Sequence, residues 1–161
     1  MIELDFEYTG EGDFLQNPDK YLTACSEQAA HGLIVYGNIV CYINDLRFGP
    51  GDGAILGFAA EMKCTVDRLA QTKFGNARWS DFESSYYFTI KREDESVTVF
   101  TDDNQQTSVP WQEFYKAFTN FYESVKQRVF FEQCPELANN EDIFDWYLEL
   151  GRIGRDLPLP D

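Results

Sequence analysis

The chain has 161 residues, 43% of them hydrophobic and 16% aromatic, which suits one domain with a sizeable core and excludes a disordered acidic tail. Thirteen Lys and Arg stand against 28 Asp and Glu, a formal net charge of −15 that argues against direct binding of nucleic acid or an anionic membrane. No apolar run approaches the ~18 residues of a membrane span. The opening MIELDFEYTG lacks the basic start and apolar run of a secretion signal, so a cytoplasmic location is expected.

IELDFEY alternates Ile2, Leu4, Phe6 and Tyr8 with acids, as a half-buried strand does. Residues 10–31 show no clear pattern beyond a short helix near Asp19–Gln28, where Pro18 suits a first turn. The stretch 33–43 is apolar on both faces, as in a strand near the middle of a sheet. A turn at Asn44-Asp45 and a short strand at 46–48 follow. GPGDG then breaks the chain, and Asp52 is placed to cap the next helix. That helix is expected to run to about Lys73. Ile55, Phe58, Ala59, Met62, Val66 and Leu69 form its apolar stripe, with Lys63, Asp67 and Lys73 away from it.

Residues 74–83 read as a connection containing Trp79. Residues 84–109 read as a three-stranded meander with turns at REDE and DDNQ, and Tyr86, Phe88 and Ile90 on one face. Pro110 opens an aromatic helix with a stripe from Trp111 through Phe114, Phe118, Phe121 and Val125 to about Phe131. Pro135 ends it. A last helix is capped by Asn139 or Asn140 and closes near Gly151. The elements add up to one α+β domain over 1–161, with 152–161 a loose tail. Its architecture is a twisted, mainly antiparallel sheet packed against two or three helices.

Few residues offer chemistry. Cys25, Cys41, Cys64 and Cys134 lie 16, 23 and 70 residues apart, without the close pairs that zinc or redox motifs need. They read as reduced, mostly buried thiols. His31 is the sole histidine and has no motif beside it. Gly49, Gly51 and Gly53 precede a helix but lack the Lys-Ser/Thr of a phosphate loop, and Asp52 stands where a phosphate would sit. DDNQQT lacks the glycine and terminal Glu of a calcium-hand loop. No cofactor or metal is expected.

The acids are uneven: 17 of the 28 fall in residues 81–161. Asp81 with Glu83, the turn Glu93-Asp94-Glu95 and the turn Asp102-Asp103 concentrate them, and Asp145 adds to the C-terminal segment. If 96–101 is a strand, its flanking turns stand roughly 20 Å apart at ~3.3 Å per residue. They cannot share one compact site, but both can rim one protein interface.

The order of VCYINDLRF, the helix ILGFAAEMKCTVDRL, the meander SSYYFTIKREDESVTVFTD and the helix opening VPWQEFYKAFTNFYESV resembles bacterial immunity proteins of contact-dependent or polymorphic toxin systems. The resemblance covers roughly residues 30–130. It implies a non-enzymatic protein that binds a cognate, basic toxin domain, a nuclease among the candidates, and blocks its active site with acids. The implied contact residues are Trp79, Asp81, Glu83, Glu93, Asp94, Glu95, Asp102, Asp103, Asp145 and Trp146; the two tryptophans read equally as aromatic anchors or as core residues with a polar edge. Two other readings stay open: an acidic nucleic-acid mimic that inhibits basic proteins more generally, and a small carboxylate-dependent enzyme or ligand-binding domain.

Overall fold

The alternation in IELDFEY builds strand β1 (Ile2–Tyr8), which pairs antiparallel with β2 (Tyr36–Ile43) along its whole length. In the computed structural model, residues 1–8, 35–81, 84–139 and 141–157 are described; the helix expected near 19–28, Cys25, His31 and Glu83 lie outside them. The apolar character of β2 follows from its place. It is the hub of a four-stranded sheet, with β1 on one side and β3 (Leu46–Arg47) and β4 (Asp52–Ala54) sharing the other. The turn at Asn44-Asp45 forms as expected, with Asn44 in the left-handed region at φ 54°.

GPGDG does not act as a helix cap. Asp52 belongs to β4, and its carboxylate accepts a hydrogen bond from Asn38 Nδ2 at 2.9 Å. The residue before the helix is Ala54, which makes no side-chain cap. The free edge of β2 at Tyr36–Asn38 recruits 52–54 as a strand instead, and Ile55 N–H is satisfied by Val35 O at 3.0 Å. A side chain at Gly37 would meet Glu7 O at 2.1 Å, so β1 can pack there only against glycine.

Helix α1 (Ile55–Leu69) carries the expected stripe, but it is buried almost all round. Lys63 and Asp67, expected to face away, are 4% and 2% exposed. The helix ends at Leu69, short of Lys73, because the chain turns into a strand. Arg92 binds Leu69 O at 2.9 Å through its guanidinium, which lies 4.0 Å from the centre of the Trp111 ring.

The stretch read as a connection is strand β5 (Phe74–Ser80). It joins β6 (Tyr87–Glu93), β7 (Ser96–Thr101) and β8 (Gln106–Pro110) in a second four-stranded antiparallel sheet, ordered β5-β6-β7-β8. The molecule is therefore α+β and antiparallel, as expected, with its strands divided between two sheets. The sheets are tied by Asn44 Nδ2 to Thr107 Oγ1 at 2.8 Å, by Gly49 N–H to the Tyr86 hydroxyl at 2.9 Å, and by an edge-on contact of Phe48 with Phe88.

Helix α2 (Trp111–Val125) follows Pro110 and buries Trp111, Phe114, Phe118, Phe121, Tyr122 and Val125. It passes into a π-helical stretch over Lys126–Gln133, closed by Cys134 N–H on Val129 O at 2.7 Å. Pro135 stops that stretch and opens the short α3 (Pro135–Ala138). Helix α4 (Glu141–Ile153) packs on α1, and its last turn takes in Arg152 and Ile153, the start of the expected tail. The core is rich in edge-to-face aromatics: Phe58 meets Trp79, Phe118 and Phe121 at 5.1–6.3 Å between ring centres. Burying each such ring contributes roughly 1.5–3 kcal/mol.

Candidate functional site

Antiparallel pairing decides which acids meet. The β6–β7 turn sits at one end of the second sheet and the β7–β8 turn at the other. Asp81 follows β5 at the latter end, its N–H bonded to Tyr86 O at 2.9 Å. Phe88 pairs with Thr101, so Tyr86 lies between Asp81 and the Asp102-Asp103 turn. The fold thus gathers Asp81, Asp102 and Asp103 around Tyr86 and holds Glu93, Asp94 and Glu95 at the opposite end.

The gathered end is fixed by local bonds. Asp81 Oδ2 accepts from Ser84 Oγ at 2.8 Å, and Asp103 accepts from the Thr101 hydroxyl. Asn104, at φ 65°, completes the turn. Asp102 and Asp103 are exposed. Burial pushes the Tyr86 hydroxyl up to about 12; the bond from Gly49 opposes that rise, and Asp102 and Asp103 add to it. Tyr86 therefore stays a neutral hydroxyl amid carboxylates at neutral pH.

Glu61 on α1 joins this end, although no motif in the sequence connects it there. Its Oε2 accepts from Trp79 Nε1 at 2.8 Å. Glu61 stands at the surface as a residue, yet packing around its carboxyl group raises its pKa; the Trp79 bond opposes the rise and Asp81 adds to it. Trp79 itself is 6% exposed and stacks on Phe88 at 5.5 Å, so it is a core residue with a polar edge, not an exposed anchor. Its ring positions Glu61.

The opposite end is more nearly neutralised. Lys91 pairs with Glu93 at 2.8 Å and Lys73 with Asp94 at 3.5 Å. Asp94 takes a left-handed φ of 57°, and Glu95 O receives Trp111 N–H at 2.8 Å, which links the turn to the start of α2. Asp145 and Trp146 lie apart from both ends, on α4. Asp145 is exposed. Trp146 is half-buried and lines an open depression with Glu149, Leu150 and Ile153.

Between the two ends the second sheet has a face on which no helix packs among the described residues. Arg78, Thr89, Phe100 and Gln106 form one row across it, and Asn76, Lys91, Thr98 and Ser108 the next. Arg78 stacks over Tyr87 at 3.7 Å. The centre of this face is half-exposed and hydrogen-bonding, and acids stand at its ends.

A second polar cluster centres on a buried ion pair. Lys63 pairs with Asp67 one helical turn on and donates to Gly151 O at 3.3 Å, and Tyr115 donates to Asp67 Oδ1 at 3.0 Å. It joins α1, α2 and α4, with Lys63 and Asp67 buried and Tyr115 half-buried at its rim. Among the described residues no three His, Cys, Asp or Glu side chains converge to hold a metal. Nor is any helix in them long and apolar enough to cross a membrane. No family model, curated protein or solved structure matches the chain.

Proposed function

We propose that this is an immunity protein that binds and neutralises a basic bacterial toxin domain through the acid-rimmed outer face of its second sheet. The observation that carries the reading is the gathering of Asp81, Asp102 and Asp103 around Tyr86. The Asp81 and Asp103 carboxylates, held by local hydrogen bonds, lose little further freedom on binding. Their field, added to a net charge of −15, raises the rate of encounter with a cationic partner and sets its orientation. The aromatic and hydroxyl groups between the two ends supply a desolvated centre, with Phe100 and Tyr87 in the place of anchors.

The test is a tagged pull-down from the source cell, washed at low and then high salt, with the retained protein purified and assayed with and without this chain. One near-stoichiometric basic protein that survives high salt and loses its toxic activity on binding supports the reading. Several partners, all shed at high salt, replace it with a general acidic mimic.

A further inference from the structure

Strand β5 is an open edge. It ends the order β5-β6-β7-β8, and no strand among the described residues pairs with its outer side. The far edge of the same sheet is approached by Asn44, which bonds Thr107 and Ser108 on β8. Main-chain bonds flanking β5 show which of its residues bond toward β6. Asp81 N–H goes to Tyr86 O, and Asp94 N–H to Lys73 O. In an antiparallel ladder alternate residues face the same neighbour, so Gly75, Ala77 and Trp79 bond toward β6. Phe74, Asn76, Arg78 and Ser80 therefore turn their N–H and C=O groups outward; those of Phe74 are met by the Thr72 hydroxyl, which accepts from its N–H at 3.3 Å and donates to its C=O at 3.0 Å, whereas Asn76, Arg78 and Ser80 have no strand opposite them among the described residues.

We propose that two copies of this chain join antiparallel through β5, centred on Ala77, so that the second sheet continues from one copy into the other. Only registers that set even-numbered residues against even-numbered residues unite the outward groups. Centring on Ala77 brings Asn76 opposite Arg78 and Phe74 opposite Ser80, so that Asn76, Arg78 and Ser80 of each copy gain partners and Phe74 exchanges the Thr72 hydroxyl for Ser80 of the other copy. The same register places Lys73 opposite Asp81 just beyond each strand end, and two-fold symmetry makes that pair twice. Neighbouring registers do worse. Centring on Arg78 sets the two guanidinium groups against each other. Centring on Asn76 runs Ser80 past the strand to Thr72.

Two further observations fit. Phe74 is 69% exposed, the most exposed aromatic among the described residues, and in this register it lies within diagonal reach of Arg78 of the second copy. The Lys73 ammonium makes a loose, exposed pairing with Asp94, which costs little to exchange. The Asp102-Asp103 turn stands two strands from the seam, at ~4.8 Å per strand, and stays in solvent. Asp81 belongs to both surfaces, so the two readings are told apart at Asp102 and Asp103, whose substitution weakens partner binding and leaves the pairing of copies unchanged.

Light scattering on the full chain, eluted from a sizing column at roughly 1 µM to 1 mM, decides it. The expected mass at the upper end is twice the 18.6 kDa of one chain. Asn76→Pro removes an outward N–H while leaving the β5–β6 bonds, and returns the chain to monomer. Lys73→Glu weakens association at least tenfold, and Lys73→Glu with Asp81→Lys restores it. A monomer at every concentration overturns the proposal, as does a dimer indifferent to both changes. If Asn76→Pro fails to fold by circular dichroism, the loss and recovery of the dimer across the charge exchange decides the matter alone.

Discussion

Tyr122 and Tyr147 exchange hydrogen bonds: each hydroxyl donates to the other's main-chain carbonyl at 2.8 Å, and the two rings stack at 4.5 Å with 5° between their planes. This pair bolts α4 to α2. Burial raises both phenols far above the usual value, so both remain donors across the physiological range. Tyr147→Phe removes one of two donors to Tyr122 O, leaving it the Lys126 N–H, and loosens the α2–α4 joint at a cost of about 1–2 kcal/mol. A thermal melt reads this as a fall of roughly 2–8 °C.

Gly151 shares that joint. A Cβ there would stand 2.1 Å from the Tyr122 hydroxyl oxygen and 2.2 Å from its ring carbon. Gly151→Ala should therefore destabilise the chain by about 1–3 kcal/mol, despite alanine's better helix propensity. Gly151→Ala combined with Tyr122→Phe recovers part of the loss, because one of the clashing atoms is gone. Urea unfolding of the three variants tests the coupling.

The Lys63–Asp67 pair makes a sharper demand. Removing one partner leaves an uncompensated buried charge, so Lys63→Met costs about 3–5 kcal/mol. Lys63→Met with Asp67→Leu costs less than the single change. Equal losses in both variants, measured by urea midpoint, would mean that packing and not charge governs the site.

These interior features explain what the sequence did and did not disclose. Periodicity located α1, α2, α4, β1 and the meander because each hides one face. It placed Lys63 and Asp67 outside for the same reason: a pattern seen on one helix cannot show that α2 and α4 cover its other sides. FGNARWS read as a connection because Gly75 and Asn76 dilute its alternation; it is a strand because β6 offers it a partner. GPGDG has the spelling of a cap, yet the unpaired edge of β2 competes for those residues and wins. The 20 Å separation of the two acidic turns was legible from strand length alone, at ~3.3 Å per residue. The meeting of Asp81 with Asp102 was not, because it depends on β5 being a strand. Glu61 was missed because its tie to Trp79 spans 18 residues with no motif.

Glu61 gives a pH signature. Its pKa in the folded chain is raised from 4.5, so the unfolded chain releases its proton first. Stability attributable to this group is lost as pH rises from about the unfolded value through the folded one. Glu61→Gln removes that loss while keeping an acceptor for Trp79. The advantage of the variant over the parent should therefore grow on going from below pH 4.5 to neutrality. A carbon-detected titration of Glu61 should find its midpoint above 4.5, and Asp81→Asn should lower that midpoint.

Partner binding and stability should separate at the acidic end. Trp79 is core: Trp79→Phe leaves a void and strips the Glu61 carboxylate of its donor, so the melting temperature falls by several degrees. Asp102 is exposed on a surface turn, so Asp102→Lys leaves the melt unchanged. Against the basic partner of the proposed function the order reverses. Asp102→Lys slows association about tenfold at low salt, and the deficit shrinks as salt screens the field over about 10 Å. Trp79→Phe, studied below its melting point, retains the parent's association rate. Stopped-flow association at two salt concentrations separates the effects. If Trp79→Phe slows association as much as Asp102→Lys does, the indole edge is part of the interface and the surface must be redrawn toward Glu61.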